Sequence, residues 1–266
     1  YSNGQKESEG TFKDGLKDRK WTYWDENGQK RYEVNYTDGK RDGILKTWHE
    51  KNGLKKEISK YDEKGPGWYW NNFETGEHTG THLDSPNHWV TGQDKFSVDK
   101  IPVEMLIGNG CLIDMEKEVE ENPNALLTPS HIEEWEKQNG NIPEKSWVLI
   151  KTGWSSRFND PEAYANFNTN DQMPNTPGIS KEASELLANE KDVLGVGVET
   201  VGTDAGLAPS FDPQFPNHNI MHGAGKMGLT SLCNLDLIPS KGSIIIALPL
   251  KIEDGSGSPV RVIAIK

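Results

Sequence analysis

The chain has seven histidines in 266 residues. Three of them, with an aspartate, fall within His78-Thr79-Gly80-Thr81-His82-Leu83-Asp84-Ser85-Pro86-Asn87-His88. Imidazole nitrogen and carboxylate oxygen together suit Mn, Fe or Zn, with coordination positions left open for water. Spacing decides which side chains can converge. In an extended chain residues 82 and 84 share a face and stand ~7 Å apart, close enough to share an ion. On a straight strand His78 would lie ~13 Å from His82. Gly80, between two threonines, is the place for a bend, because glycine takes positive φ without a Cβ clash. Pro86 stops a strand and suits the first turn of a helix capped by Ser85, which would turn His88 back toward the same pocket.

These residues need a frame, and the apolar runs after residue 61 supply one. Gly110–Asp114, Trp147–Thr152, Val193–Val198 and Ser243–Leu250 read as strands. Thr128 caps a helix that has Pro129 in its first turn and ends at Gly140. A second helix covers Ser180–Asn189, with Ala183, Leu186 and Leu187 on one stripe. Lys251–Glu253 and Val260–Ile265 flank a Gly-Ser turn and read as a final hairpin. The stretch Phe158–Gly178 is a long loop, and long loops are often functional. The architecture expected is α/β, with mixed strands around a barrel-like core and helices outside.

The first 57 residues differ in kind. Residues 1–60 hold 14 bases and 11 acids, against a net charge of −12 for the whole chain. Asn3-Gly4-Gln5-Lys6 recurs as Asn27-Gly28-Gln29-Lys30 and as Asn52-Gly53-Leu54-Lys55, and Phe12-Lys13-Asp14-Gly15 recurs as Tyr36-Thr37-Asp38-Gly39. Asn-Gly and Asp-Gly are strong hairpin turns, because both central residues of a type I′ turn need positive φ. Phe12, Trp21, Tyr23, Tyr36 and Trp48 fall in the flanking strands. Residues 1–57 therefore read as stacked β-hairpin repeats and 58–266 as the domain that carries the chemistry. The repeats resemble MORN-variant repeats, a structural or tethering module that would bind another protein if it binds anything.

Composition excludes several classes. The negative charge disfavours nucleic acid, which needs a basic field. No apolar run is long enough to cross a membrane, and mean hydropathy is −0.76. Two cysteines do not make a disulfide scaffold. Cys111 and Cys233 both read as core residues. The start, Tyr1-Ser2-Asn3-Gly4, has no signal-peptide apolar core, so a cytoplasmic location is expected, with export left open. There is no Gly-x-Ser-x-Gly elbow for a serine hydrolase, and the glycines at 223, 225 and 228 do not space a nucleotide loop.

The run from His78 to His88 resembles the His-x-Gly-Thr-His-x-Asp-x-Pro-x-His signature of the cyclase family of metal hydrolases, which includes kynurenine formamidases and isatin hydrolases. The resemblance extends from about Tyr61 to the end. It also rests on Leu127–Ile132, Glu199–Gly206, His222–Lys226 and Pro249–Pro259, and within the family it is greatest to isatin hydrolases. It implies a cyclase-like, swivelling β/β/α domain. It further implies His78, His82 and Asp84 as metal ligands, His88 as proton donor and acceptor, His218 beside the substrate carboxylate, and Ser231 in a proton-conducting chain. One divalent ion is implied, manganese first and zinc as the alternative, because Leu232-Cys233-Asn234-Leu235 lacks the glutamate that two-metal formamidases place there. The activity implied is hydrolysis of a cyclic amide, isatin to isatinate, on a small aromatic substrate, in a homodimer. A formamidase acting on N-formylkynurenine and a non-catalytic binding protein are the alternatives. The family's usual N-terminal region is replaced here by the hairpin repeats.

Trp70, Phe73 and Trp89 are candidates to stack on a planar substrate, beside Trp68. Glu199 and Asp204 follow a strand end, where α/β enzymes gather polar groups.

Overall fold

The computed structural model describes residues 1, 3–24, 26, 28, 30–47, 55–58, 71–168 and 173–266. Two compact units divide the chain, Tyr1–Thr79 and Gly80–Lys266.

In the first unit, β1 (Ser8–Lys13), β2 (Leu16–Trp24), β3 (Lys30–Thr37), β4 (Lys40–Thr47), β5 (Lys55–Ile58) and β6 (Asn71–Glu74) form one antiparallel sheet in chain order. Asp14-Gly15 and Asp38-Gly39 make the β1–β2 and β3–β4 turns, with φ of 51° and 78°, and of 49° and 74°. Those values are what a type I′ turn requires. Trp21 is buried, with Phe12 edge-on at 4.9 Å and the Lys17 ammonium 4.3 Å above its ring. Gly10 sits at a register shift in β1. A Cβ there would fall 2.3 Å from the Trp21 indole, so only glycine admits the ring. The pairing of β6 with β5 carries the sheet to Glu74. Trp48, Trp68, Trp70 and the third repeat at Asn52–Leu54 lie outside the described residues.

The second unit is built on an eight-stranded mixed sheet. Its strands are β7 (His82–Asp84), β8 (Ile107–Asp114), β10 (Ser146–Lys151), β12 (Val193–Val198), β13 (Met227–Thr230), β14 (Lys241–Ala247), β15 (Gly257–Pro259) and β16 (Val262–Ile265), in the order β15-β7-β13-β12-β10-β8-β14-β16. A small pair, β9 (Leu126–Leu127) with β11 (Gly178–Ile179), lies apart. The four central strands, β13, β12, β10 and β8, run parallel; β7 and β14 flank them antiparallel, and the edge strands β15 and β16 pair antiparallel with those two. The central strands are apolar on both faces, as buried parallel strands are. Cys111, Ile113, Val148, Ile150, Val196 and Val198 face one core, shared with α2 (Pro129–Asn139) and α4 (Lys181–Asn189). Leu112, Trp147, Leu149, Leu194, Met227 and Leu229 face the other. Two short helices, α1 (Glu116–Glu121) and α3 (Pro161–Ala165), complete the set.

Helices α2 and α4 and strands β8, β10, β12 and β14 fall where the sequence places them; α1 and β13 carry no signal that is read in the sequence, α3 lies inside the stretch read as a loop, and three further expectations need correction. No pairing joins β15 to β16 among the described residues, so the mixed sheet has an apolar layer on each side and is not closed by hydrogen bonds into a barrel. The final hairpin does not form. β15 pairs with β7 and β16 with β14, because the long-range register buries Ser258 and fills the edge beside β14. Cys233 is exposed, since Leu232 and Leu235 occupy the core while Asn234 turns the chain at φ 60°. Cys111 is buried as expected, and burial pushes its thiol pKa up.

Candidate metal centre

Strand β7 lies between β13 and β15. His82 is opposite Thr230 and Pro259, and Asp84 is opposite Gly228 and Gly257. Leu83 turns into the core, so His82 and Asp84 share the other face, 5% and 2% exposed. His82 Nε2 stands 3.2 Å from Asp84 Oδ1. His82 Nδ1 is 2.8 Å from the Gly80 carbonyl. A carbonyl can only accept, so Nδ1 carries the proton of the neutral ring, and Nε2 is the nitrogen turned toward Asp84 and the Thr230 hydroxyl, 3.1 Å away, and toward any ligand. Burial alone would lower the His82 pKa; the Asp84 hydrogen bond and charge outweigh it and raise it. Gly80 bends the chain at φ 62°. His78, His82 and Asp84 offer ligand atoms that lie within 4.8 Å of one another. Gly228 gives the carboxylate room, since a Cβ there would be 3.0 Å from Asp84 Oδ2.

After Asp84 the chain turns through a short helical segment, Pro86–His88. Ser85 flanks it without the side-chain cap expected. Its hydroxyl bonds to the Ser256 carbonyl, 2.8 Å away, and to the Asn87 side chain, so the turn is anchored across the fold instead. The turn brings the His88 ring to 5.7 Å from His218 and 5.9 Å from His222.

Those two histidines sit on one wide helical turn, His218–His222. Asp204 fixes its start, accepting from Asn217 N at 2.8 Å, His218 N at 2.9 Å and His218 Nδ1 at 2.5 Å. His218 Nε2 is thereby aimed at Asp84 Oδ2, 4.0 Å away. His222 Nδ1 lies 3.0 Å from the Lys226 carbonyl, and its Nε2 is buried with no hydrogen-bond partner. Burial first, and then the charge of His218, push the His222 pKa down to about 4, which keeps the ring neutral at pH 7. Trp89 stands 5.0 Å from His218 and 5.4 Å from Phe215, making an aromatic wall.

Ser231 is buried at φ 51°, one residue past Thr230, whose hydroxyl lies 2.9 Å from His82 Nδ1. Tyr164 Oη lies 2.8 Å from the Glu199 carbonyl and 3.0 Å from Ser231 Oγ. The phenol has one proton and the carbonyl must receive it, so Ser231 donates to Tyr164. The Glu199 carboxylate accepts from Thr152 N, Thr152 Oγ1 and Ser155 Oγ, and these bonds tie the end of β12 to the turn after β10. Phe73 is 63% exposed on β6 of the first unit, and Trp70 lies outside the described residues.

The spatial cluster therefore contains His78, His82, Asp84, His88 and His218. Sequence reading missed Phe215, Thr230, Tyr164 and, above all, His222. The spacing of His222, four residues after His218, was the signal available, since such residues share a helix face. The donor set fits a divalent cation: two or more imidazoles with their outer nitrogens occupied, one shared carboxylate, and a buried lone pair without a donor.

Residues 19–205 match the family described as putative cyclase. The isatin hydrolase of Roseibium aggregatum is 43% identical over 208 residues, spanning 77% of this chain and 78% of that protein. A kynurenine formamidase of Salinibacter ruber is 31% identical over 192 residues, 70% of this chain and 74% of that one. The crystal structure of an isatin hydrolase bound to the product analogue thioisatinate superposes with a TM-score of 0.76. It is 43% identical and covers 81% of this chain and 83% of that one.

Proposed function

The chain belongs to the putative cyclase family, and from that premise we propose that it is a metal-dependent amidohydrolase that opens a cyclic amide, isatin to isatinate. The observation that carries the reading is the convergence of His82, Asp84, His88 and His218 into one cluster beside Trp89. The sequence and structural similarity to isatin hydrolases supports the choice of substrate.

His78, His82 and Asp84 would hold a divalent ion, which supplies Lewis acidity that brings the pKa of water toward ~7 and polarises an amide carbonyl. His82 presents Nε2 because Gly80 holds its other nitrogen. His88 takes a proton from the attacking water and returns it to the leaving nitrogen; imidazole can do both near neutral pH. His218, fixed by Asp204, faces the carboxylate that forms on ring opening. Ser231, donating to Tyr164, offers only lone pairs on its other side and so accepts a hydrogen bond from a water, which would anchor one end of a proton-conducting water chain. Trp89 and Phe215 stack on the planar substrate.

We further read the ion as manganese, with zinc the alternative, the first unit as MORN-variant-like hairpin repeats, and the active form as a cytoplasmic homodimer. The test is isatin hydrolysis followed by absorbance on metal-stripped protein, before and after Mn²⁺, beside His82→Ala. Turnover that needs the metal and vanishes in the variant is expected. Turnover of N-formylkynurenine instead would move the reading to a formamidase. Tight metal binding with no hydrolysis of either would leave a binding protein.

A further inference from the structure

Tyr164 lies in the stretch between Phe158 and Gly178, on α3. Asp160 fixes the first turn of that helix, accepting from Glu162 N and Ala163 N at 3.1 Å each. Trp154 Nε1 donates to the Tyr164 carbonyl at 2.9 Å, and Phe158 packs edge-on against the ring at 5.4 Å. Backbone and ring are thus anchored before the hydroxyl is placed. The hydroxyl donates its one proton to the Glu199 carbonyl, so its oxygen accepts from Ser231 Oγ, 3.0 Å away. Burial pushes the Tyr164 pKa up, and the phenol keeps its proton for the carbonyl. Ser231 is held from other sides too. Its N–H donates to the Thr200 carbonyl at 2.8 Å, and its carbonyl accepts from Thr81 Oγ1 at 2.6 Å. Its φ of 51° is a left-handed conformation that serine rarely adopts and that persists only where the surroundings impose it. A serine hydroxyl otherwise rotates to suit any partner nearby. Here Tyr164 removes that freedom.

We propose that Tyr164 is a positioning residue for the hydrolysis: by accepting the Ser231 proton in a hydrogen bond, it fixes the Ser231 hydroxyl as an acceptor for water. The far end of the run is closed, because the Glu199 carbonyl has no proton to give. Protons within Ser231–Tyr164–Glu199 therefore do not travel, and a chain of water extends only from the remaining lone pairs of Ser231. The Glu199 carboxylate, bonded to Thr152 and Ser155, steadies the residue whose carbonyl ends the run. This role rests on the reading of Ser231 as the anchor of a proton-conducting water chain in an isatin-hydrolysing enzyme.

Tyr164→Phe, Ser231→Ala and the double variant are compared with the wild type as full chains loaded with Mn²⁺ and hydrolysing isatin. Tyr164→Phe is expected to lower kcat about 3- to 10-fold, the worth of one hydrogen bond, and to leave KM unchanged. The loss should grow in D₂O and shrink as buffer concentration rises, because a dissolved acid–base pair then carries the protons that the water chain passes poorly. A purely structural defect would not be relieved by buffer. In the double variant, kcat should equal that of Ser231→Ala, since the two residues act as one unit. An unchanged kcat in Tyr164→Phe overturns the proposal. The same loss from Tyr164→Phe in the Ser231→Ala background as in the wild type overturns it equally, as does a loss that buffer leaves in place. Ser231→Ala turning over at the wild-type rate overturns the reading of Ser231 and this role with it. A wild type that does not hydrolyse isatin overturns the hydrolase reading and this role together, whereas an active wild type with an additive double variant overturns this role alone. Should Tyr164→Phe not fold, uniform 3-fluorotyrosine decides: it makes each phenol a weaker acceptor without deleting an oxygen. It should slow the wild type and leave Ser231→Ala untouched, and equal slowing of both overturns the proposal.

Discussion

Single residues at this centre are set by what occupies their far side. His218 is aimed at Asp84 because Asp204 holds its Nδ1 and also the backbone N–H groups that begin the turn. Asp204→Asn keeps the shape but removes the charge and one acceptor. The loss expected is about 10–100-fold in metal affinity or turnover, the range for a partner that orients a ligand. An unchanged melting temperature alongside weakened Mn²⁺ titration would assign the effect to the site rather than to the fold. Away from the centre, Glu33 is strongly perturbed by its neighbours. Burial would raise its pKa, yet hydrogen bonds from Lys30 and Lys20, at 2.9 and 3.0 Å, bring it down to about 2. A carboxyl that titrates at 4.5 when unfolded and near 2 when folded stabilises the fold above pH 4.5, and that contribution is lost as pH falls toward 2. The lysine side chains are 62% and 41% exposed, so solvent screening leaves about 1 kcal/mol of it. Chemical denaturation of wild type and Glu33→Gln across pH 2–5 checks this: the acid-dependent loss should flatten in the variant.

Elements that share a long-range register were the hardest to read in advance. α2 carries its own start and stop signals, Thr128-Pro129 to Gly140, α4 has Ser180 as a side-chain cap, and the strands hold unbroken apolar runs, Cys111–Ile113 in β8, Trp147–Ile150 in β10 and Val193–Val198 in β12. All of that is local and therefore legible. The His78–His88 segment was legible for the same reason, since Gly80 and Pro86 mark its two bends within the run itself. What local sequence cannot show is that β15 leaves its neighbour to pair with β7, or that the turn at His218–His222 packs against the turn at Val90–Gly92. That last contact depends on Gly92. A Cβ there would sit 2.0 Å from the Pro86 carbonyl oxygen and 2.7 Å from that of His222. Gly92→Ala must push apart the two turns that carry His88 and His222. Overpacking of this kind costs about 1–3 kcal/mol, and the displaced histidines should weaken Mn²⁺ binding as well. A thermal melt and a metal titration on the same sample check both. A variant that melts lower but binds metal normally would show that the two turns do not depend on each other.

At the scale of the whole molecule, the two compact units are held together by different means. The first is a six-stranded antiparallel meander whose described core centres on Trp21 and Val34. The second buries two apolar layers on either side of its sheet and spends part of its interior on His82, Asp84, His218 and His222, all polar and all buried. Those four groups are poor contributors to stability unless a cation neutralises their convergence. Metal should therefore stabilise Gly80–Lys266, which supplies His82 and Asp84, by mass action, and leave the unfolding of the six-stranded sheet, which ends at Glu74 before the ligand His78, where it was. At free Mn²⁺ about 100-fold above its Kd the gain is about 2.7 kcal/mol. For a unit of this size that corresponds to a rise of about 5–10 °C in Tm. Calorimetry of the full chain with chelator and with excess Mn²⁺ should show two transitions, of which one moves. His82→Ala should abolish the shift, and Glu33→Gln should not touch it, because Glu33 belongs to the other sheet. A single transition that shifts as a whole would mean that the six-stranded sheet and the metal-bearing sheet unfold together.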